Sequence, residues 1–570
     1  MTHQKMLNRL YASAAVTALA LAGLTGGAMA DNDHAHGNDH AHALTIPEDA
    51  AVPLFEGLGD HRFAISTVSP EAQAYFDQGL IFTYGFNHFE AVRSFEEAVR
   101  HDPDCAMCHW GVALALGPHI NAPMDPAAAE PAFAAATRAQ ELAENATERE
   151  QAYIAALAER YAAESPEDRS DLDRAYAEAM GRNAEEHPSD LDAWTLYAEA
   201  LMNLVPWDYW AADGSPRPET ERLVSALERV LARDPRHAGA AHLYIHVMEN
   251  SPTPEAAEAA ADTLRDLDIQ IGHMIHMPSH IYARIGRWHD ASRANEAAVA
   301  ADETYLSAYD VEGLVPVLYH PHNYHFLAWT ASVEGHHDRA RSAAEALLAA
   351  APTGLAAEVP FLQNFLVAPV LVEVRFADWD AVMATDPPAD LAFVTQLHGF
   401  ARGMAHAARG DLDAARDKAG ALADFAASDE AAAMDMPEAF FPAHTILRVA
   451  DRTLAGEIAL AEGDPQTAVD HFRQAVELQD ALPYMEPPYW FNSARLNLGR
   501  AHLVADQPAE AAAVFQADLD EYPENGWALH GLTASLKAQG KHEAAEGAAA
   551  RFQAAWHNAG TDLETLHRAW

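Results

Sequence analysis

The chain has 570 residues, half of them hydrophobic, with 36 Lys and Arg against 85 Asp and Glu and a formal net charge of −49. A chain this acidic lacks the basic surface that nucleic acid demands, so nucleic acid is excluded as an expected partner. Only two cysteines occur, too few for a disulfide-stapled scaffold, so the core must come from apolar burial.

The first segment reads as an export signal. Lys5 and Arg9 precede the apolar run Tyr11–Gly23, and Ala28-Met29-Ala30 offers a small-residue cleavage site. The run is shorter than the ~20 residues that cross a bilayer. Cleavage after Ala30 is therefore expected, with an uncleaved anchor as the alternative and no membrane span after cleavage. Residues 31–68 read as a flexible leader. Its opening, Asp31–His42, interleaves His34, His36, His40 and His42 with acids and lacks the apolar groups that offset ordering entropy. Such tracts bind transition metals loosely.

Helical hairpins with a period of about 34 residues start near Ser69. Gly79, Ala91, Phe95, Ala98 and Pro103 match the tetratricopeptide spacing, and the pattern recurs at Gly286, Ala291 and Ala298, at Gly335, Ala340 and Pro352, and at Gly410 and Ala415. It returns at Gly463, Ala468, Phe472 and Ala475, at Gly499, Ala511 and Phe515, and at Gly540 and Ala545. Each small residue is expected to let two helices approach, and each hairpin buries its apolar face by stacking on the next. The expected fold is an all-α, tetratricopeptide-type α-solenoid of roughly 10–12 hairpins. It divides into N-terminal hairpins over 69–235 with a turn-rich insertion at 207–218, central hairpins over 236–355, and C-terminal hairpins over 356–570.

Inside the first hairpins, Cys105-Ala106-Met107-Cys108-His109 matches the haem c attachment string. The alternatives are a redox or metal-binding thiol pair and a structural pair at a helix start, and a haem would need a cavity and a second ligand that nothing nominates.

The central hairpins carry the main signal. Gly286 and Ala291 set one repeat to begin at Gly272, Gly335 and Ala340 set the next at Pro321, and Pro235 sets the earlier one at Ala238. In these registers His242, His246, His273, His276, His280, His322 and His325 all fall on the groove-lining positions of the first helix of each repeat, with Glu249 beside them. Seven of fifteen such positions are His, where 32 His in 570 residues would place about one. Side chains at i and i+4 lie ~5–6 Å apart, and packed helices ~8–10 Å apart. Imidazoles from two helices can thus meet on one ion with bonds of ~2.0–2.1 Å. His242/His246 and His276/His280 are the expected ligand pairs, and Glu249 a carboxylate ligand or its support. Imidazoles do not separate zinc from copper; the nearby Met248, Met274 and Met277 tilt slightly towards copper. Pro278 lies inside H-M-P-S-H, where a helix interior would be strained, so a helix is expected to begin at Pro278 with His276 leading into it.

Several strings together resemble a family of exported bacterial tetratricopeptide proteins. They are FNHFEAVRSFEEAVRHDPDCAMCHWGVALALGPHINAPMD, AAHLYIHVMENSPTPEAA, GHMIHMPSHIYARIGRWHDASRANEAAVAAD, YHPHNYHFLAWTASVEG and YMEPPYWFNSARLNLG. The resemblance runs from about Ser69 to the C-terminus and implies fold and export without assigning an activity. It also implies that Asn121–Asp125 and Trp207–Trp210 are groove or rim features, either capping the solenoid or walling a pocket. Members often carry an aromatic residue after the second Cys, where this chain has His109, which weakens the haem reading. The functional expectation is a periplasmic solenoid that binds zinc or copper through its histidines, in metal handling or as a metal-bearing scaffold. The alternatives are a metal-dependent enzyme of the same groove, with an open coordination position, and a metal-free scaffold for a peptide or protein. No hydrolase, kinase, dehydrogenase or H-E-x-x-H protease string occurs.

Overall fold

The computed structural model describes residues 52–309, 311–436 and 440–563. The export segment and the histidines of Asp31–His42 lie outside them. The chain is all-α, with a two-stranded ribbon at Asp435–Met436 and Phe441–Pro442 as the sheet among the described residues. No helix among them is long and apolar enough to cross a membrane. In contact terms the chain forms two units: one holds the described residues up to Pro278 together with Ala301–Pro316, and the other holds Ser279–Ala300 and the residues from Val317 onward. We call them the N-terminal and C-terminal units.

In each unit successive helices pack on their chain neighbours, the contact logic of a tetratricopeptide-type solenoid. In the N-terminal unit Pro70–Tyr84, His88–His101 and Ala106–Ala115 form one such stack. Ser69 and Asn87 cap the first two helices through their side chains. Phe95 is fully buried in the seam, and Cβ atoms at Gly79 and Gly111 would approach its ring to 2.8 and 2.2 Å. The same device recurs in the C-terminal unit, where Phe472 fills the space over Gly456 and Phe515 that over Gly499 and Gly531.

Two expectations need correction. Gly79 and Gly499 do bring helices together, but Gly286, Gly335, Gly410, Gly463 and Gly540 first serve the turns, with Gly286 and Gly335 also admitting Pro523 and Trp556 closely. These turn glycines take positive φ of 71–82° between helices, where a residue without Cβ is favoured. Nor is the whole leader an unpacked tail. Val52 and Phe63 are buried, and Ser66 donates its N–H and hydroxyl to Glu150. The leader's second half has the apolar side chains its His-rich opening lacks, and these anchor it on the first hairpin.

The helix around H-M-P-S-H is split, with Gly272–His276 preceding Pro278–Arg284. Pro278 stands at the first position of the second piece, where its missing N–H is not needed.

Candidate metal centre

In the N-terminal unit the helix Ala238–Met248 is buried along its whole length. His242 and His246 sit one turn apart on it, with ring centroids 4.8 Å apart. His273 enters from the short helix Gly272–His276. A Cβ at Gly272 would lie 1.9 Å from an Asp302 carboxylate oxygen, so only glycine lets the backbone run there and carry His273 inward.

The three imidazoles converge. Their nearest ligating atoms all lie within 4.8 Å of one another, and His242 Nε2 stands 3.1 Å from His273 Nε2. His242 Nδ1 lies 2.5 Å from the Tyr84 carbonyl oxygen. A carbonyl only accepts, so Nδ1 carries the proton and the Nε2 lone pair faces the centre. Tetrahedral bonds of ~2.0–2.1 Å separate two ligand atoms by about 3.3 Å, close to the Nε2–Nε2 distance found. His246 Nδ1 lies 3.7 Å from Glu249 Oε1, which places Glu249 behind that ring. The His276 ring stacks 6.1 Å from His273, one step further out.

Phe86, held at φ 58°, packs its ring against all three, with centroids at 4.5, 5.6 and 5.5 Å from His242, His246 and His273. Trp207 meets His246 edge-on at 5.2 Å and donates its indole N–H to the Ile120 carbonyl. Trp210 does the same to Val247. The Trp207–Trp210 string thus lies beside the cluster as a wall, with Trp207 tied to Ile120, the residue before Asn121–Asp125. His88 and His119, which spacing alone did not single out, lie behind Phe86 with rings 4.2 Å apart. Burial pushes His88 down to about 4. Burial, with the neighbouring His88 and Arg160, holds His119 well below the usual histidine range. Both belong to strings already quoted, FNHF and GPHINAP, but no periodicity links them to His242, His246 and His273 far along the chain.

One difference from the sequence reading concerns exposure. The histidines were expected to line an open groove, yet His242, His246, His273 and His276 are at most 6% exposed. Phe86 and the 207–218 insertion cover them, and neutral imidazoles accept such burial where charged ones would not.

In the C-terminal unit His280 and His322 have ring centroids 5.8 Å apart. His280 Nδ1 lies 2.8 Å from Glu486 Oε2, and burial raises the Glu486 carboxyl to about 8 despite Arg284 nearby. Glu486 comes from the quoted YMEPPYW string, without a spacing cue to tie it to His280. His322 and His325 line a small cavity with Glu486. His325 also packs on Phe365 and Phe491, and burial pushes it down to about 3.

No protein-family model and no curated protein sequence matches the chain. Among solved structures it is similar to yeast Tom70, at 11% identity and a TM-score of 0.28 over 84% of this chain and 90% of that one. It is similar to the human IFIT1 dimer with m7Gppp-AAAA, at 12% and 0.28 over 85% and 90%. It is also similar to the APC/C hetero-tetramer Cut9–Hcn1, at 15% and 0.27 over 88% and 77%. Overlap this slight transfers nothing to the chain, whose fold class stands on its own hairpins.

Cys105 and Cys108 form a disulfide, both buried, at the start of the helix Ala106–Ala115. In this form neither sulfur is a thiol that could bond a haem. His109 Nε2 bonds the Pro103 carbonyl, so the ring closes a local turn.

Proposed function

We propose that the chain is an exported, periplasmic tetratricopeptide-type scaffold that binds zinc or copper at His242, His246 and His273. One observation carries this: His242 has its Nδ1–H tied to the Tyr84 carbonyl and its Nε2 3.1 Å from that of His273. That is the tautomer and spacing of two imidazoles sharing an ion. Glu249 Oε1, 3.7 Å from His246 Nδ1, adds a carboxylate behind the third ring. Export is supported by the N-terminal segment and by a buried disulfide, which suits an oxidising compartment.

Elemental analysis of untagged protein tests the proposal. We expect about one zinc or copper per chain at this site, lost in a His242→Ala/His273→Ala variant of unchanged helicity. Metal-free wild type after equilibration with both ions, or equal metal content in the variant, would refute it.

A further inference from the structure

A second cluster lies on the other side of Tyr84, in the same unit. Asp192, near the start of the helix Leu191–Met202, is 8% exposed. Its Oδ1 accepts the Tyr84 hydroxyl at 2.7 Å and faces His61 Nε2 at 3.1 Å and His237 Nε2 at 3.3 Å. Three ligand-type residues at these distances invite a metal, but the tautomer argues against one. His237 caps the helix Ala238–Met248, its Nδ1 accepting the Ala240 N–H at 3.2 Å. With the lone pair on Nδ1 engaged, neutral His237 carries its proton on Nε2, and an ion at Asp192 would meet an N–H. The same test that admits His242 as a ligand rejects His237.

Asp192 instead accepts the Tyr84 hydroxyl and faces both imidazoles at ion-pair distance. The His61 Nε2 faces inward, leaving Nδ1 towards a cleft of about 850 Å3. Burial alone would lower the His61 pKa, but the Asp192 hydrogen bond and charge, with Asp77 and Asp234, raise it. Its other neighbours are the Tyr84 and His237 rings, at 5.6 and 5.1 Å. When protonated, that ring presents a second N–H to the cleft, with the Asp192 carboxylate behind it.

Arg62 and Arg236 line the same cleft, each the chain neighbour of one of the two imidazoles. Among the described residues neither is ion-paired, although most arginines of this acidic chain are. The cleft also carries carboxylates: Asp192 beside the two imidazoles, Asp190 paired with Arg149, and Asp234, which accepts the Arg236 backbone N–H and keeps its charge. Asp60 and Glu186 remain at the wall.

We propose that this cleft binds an oxyanion, a phosphate ester or a carboxylate, between the Arg62 and Arg236 guanidiniums and the His61 Nδ1–H. Guanidiniums match the planar, two-oxygen face of either group. The site does not depend on the metal centre.

Calorimetric titration of the full-length protein with inorganic phosphate, and separately with succinate, tests the proposal. Saturable binding of phosphate alone identifies a phosphate ester as the ligand class, and binding of succinate a carboxylate. Either should weaken at least tenfold in Arg62→Ala/Arg236→Ala, whose substitutions touch only exposed side chains, and in His61→Gln, which keeps a donor for Asp192 but carries no charge. Circular dichroism should match wild type in both. Absence of saturation by either anion, or unaltered affinity in both variants, overturns the proposal. So does stoichiometric zinc in the cleft that Asp192→Asn removes.

Discussion

A histidine's two nitrogens decide what it does, and His242 and His237 show the two outcomes five residues apart on one helix. His242 gives its Nδ1 proton to a carbonyl and presents a lone pair; His237 accepts a backbone N–H and presents a proton. The i, i+4 spacing of His242 and His246 was legible from the residues alone. His237, His61 and Asp192 were not, because a tautomer depends on a partner that the sequence does not name, and His61 sat in a segment read as leader. Burial also sets a pH limit. His88 and His398 are held down at about 4 and His325 at about 3, each chiefly by burial. A histidine lowered in the folded state leaves stability intact above its unfolded value of ~6.5, and that stability is lost as pH falls towards the folded pKa. We expect the metal-free protein to lose net stability between pH 6.5 and 4, where the three lowered histidines outweigh the raised carboxyls of Asp77 and Glu486, and to lose a little as pH rises from 7 to 8, because Glu486 is raised to about 8. A midpoint unchanged at pH 4.5 would mean that these rings take up protons without resistance. Metal binding should fail over the same range, because protonation removes the lone pair.

At the level of the element, the helix–helix seams were the most legible part of the chain. The A-x3-F spacing located Phe95 and Phe472 in the core because a repeat must place its large side chain over a neighbour's small one. What spacing missed was which glycine serves which purpose. Gly111 accepts the Phe95 ring from the next helix, outside the motif, and it leaves less room than Gly79. A methyl group at Gly111 must displace that ring, an overpacking cost of about 1–3 kcal/mol. Gly111→Ala should lower the urea midpoint by a corresponding amount, whereas Gly410→Ala, with open space around it but a positive φ of 77°, should cost only about 1 kcal/mol of backbone strain. Equal effects would mean that the seam relaxes freely. The split at Pro278 is an element-scale feature that residue type alone foretold, since proline has one place in a helix where it costs little.

For the whole molecule, a net charge of −49 creates a field that draws cations and slows anions. The charge was legible at once; the gathering of Arg62 and Arg236 at the 850 Å3 cleft was not, since they are 174 positions apart in the chain. An ion held by imidazoles from separate helices stabilises only the folded state, by RT ln(1 + [L]/Kd). Removing metal with a chelator should therefore lower the melting temperature, and adding back zinc or copper should restore it in proportion to the logarithm of free ion. A melting curve indifferent to the ion would place any bound metal on the outside of the fold.

Tyr84 serves both neighbourhoods with different atoms. Its main-chain oxygen steadies the ring of His242, while its phenol reaches the opposite way to Asp192. Exchanging the phenol for Phe would disturb one compartment and leave the other its tether, so a single deleted oxygen can separate the two proposed sites.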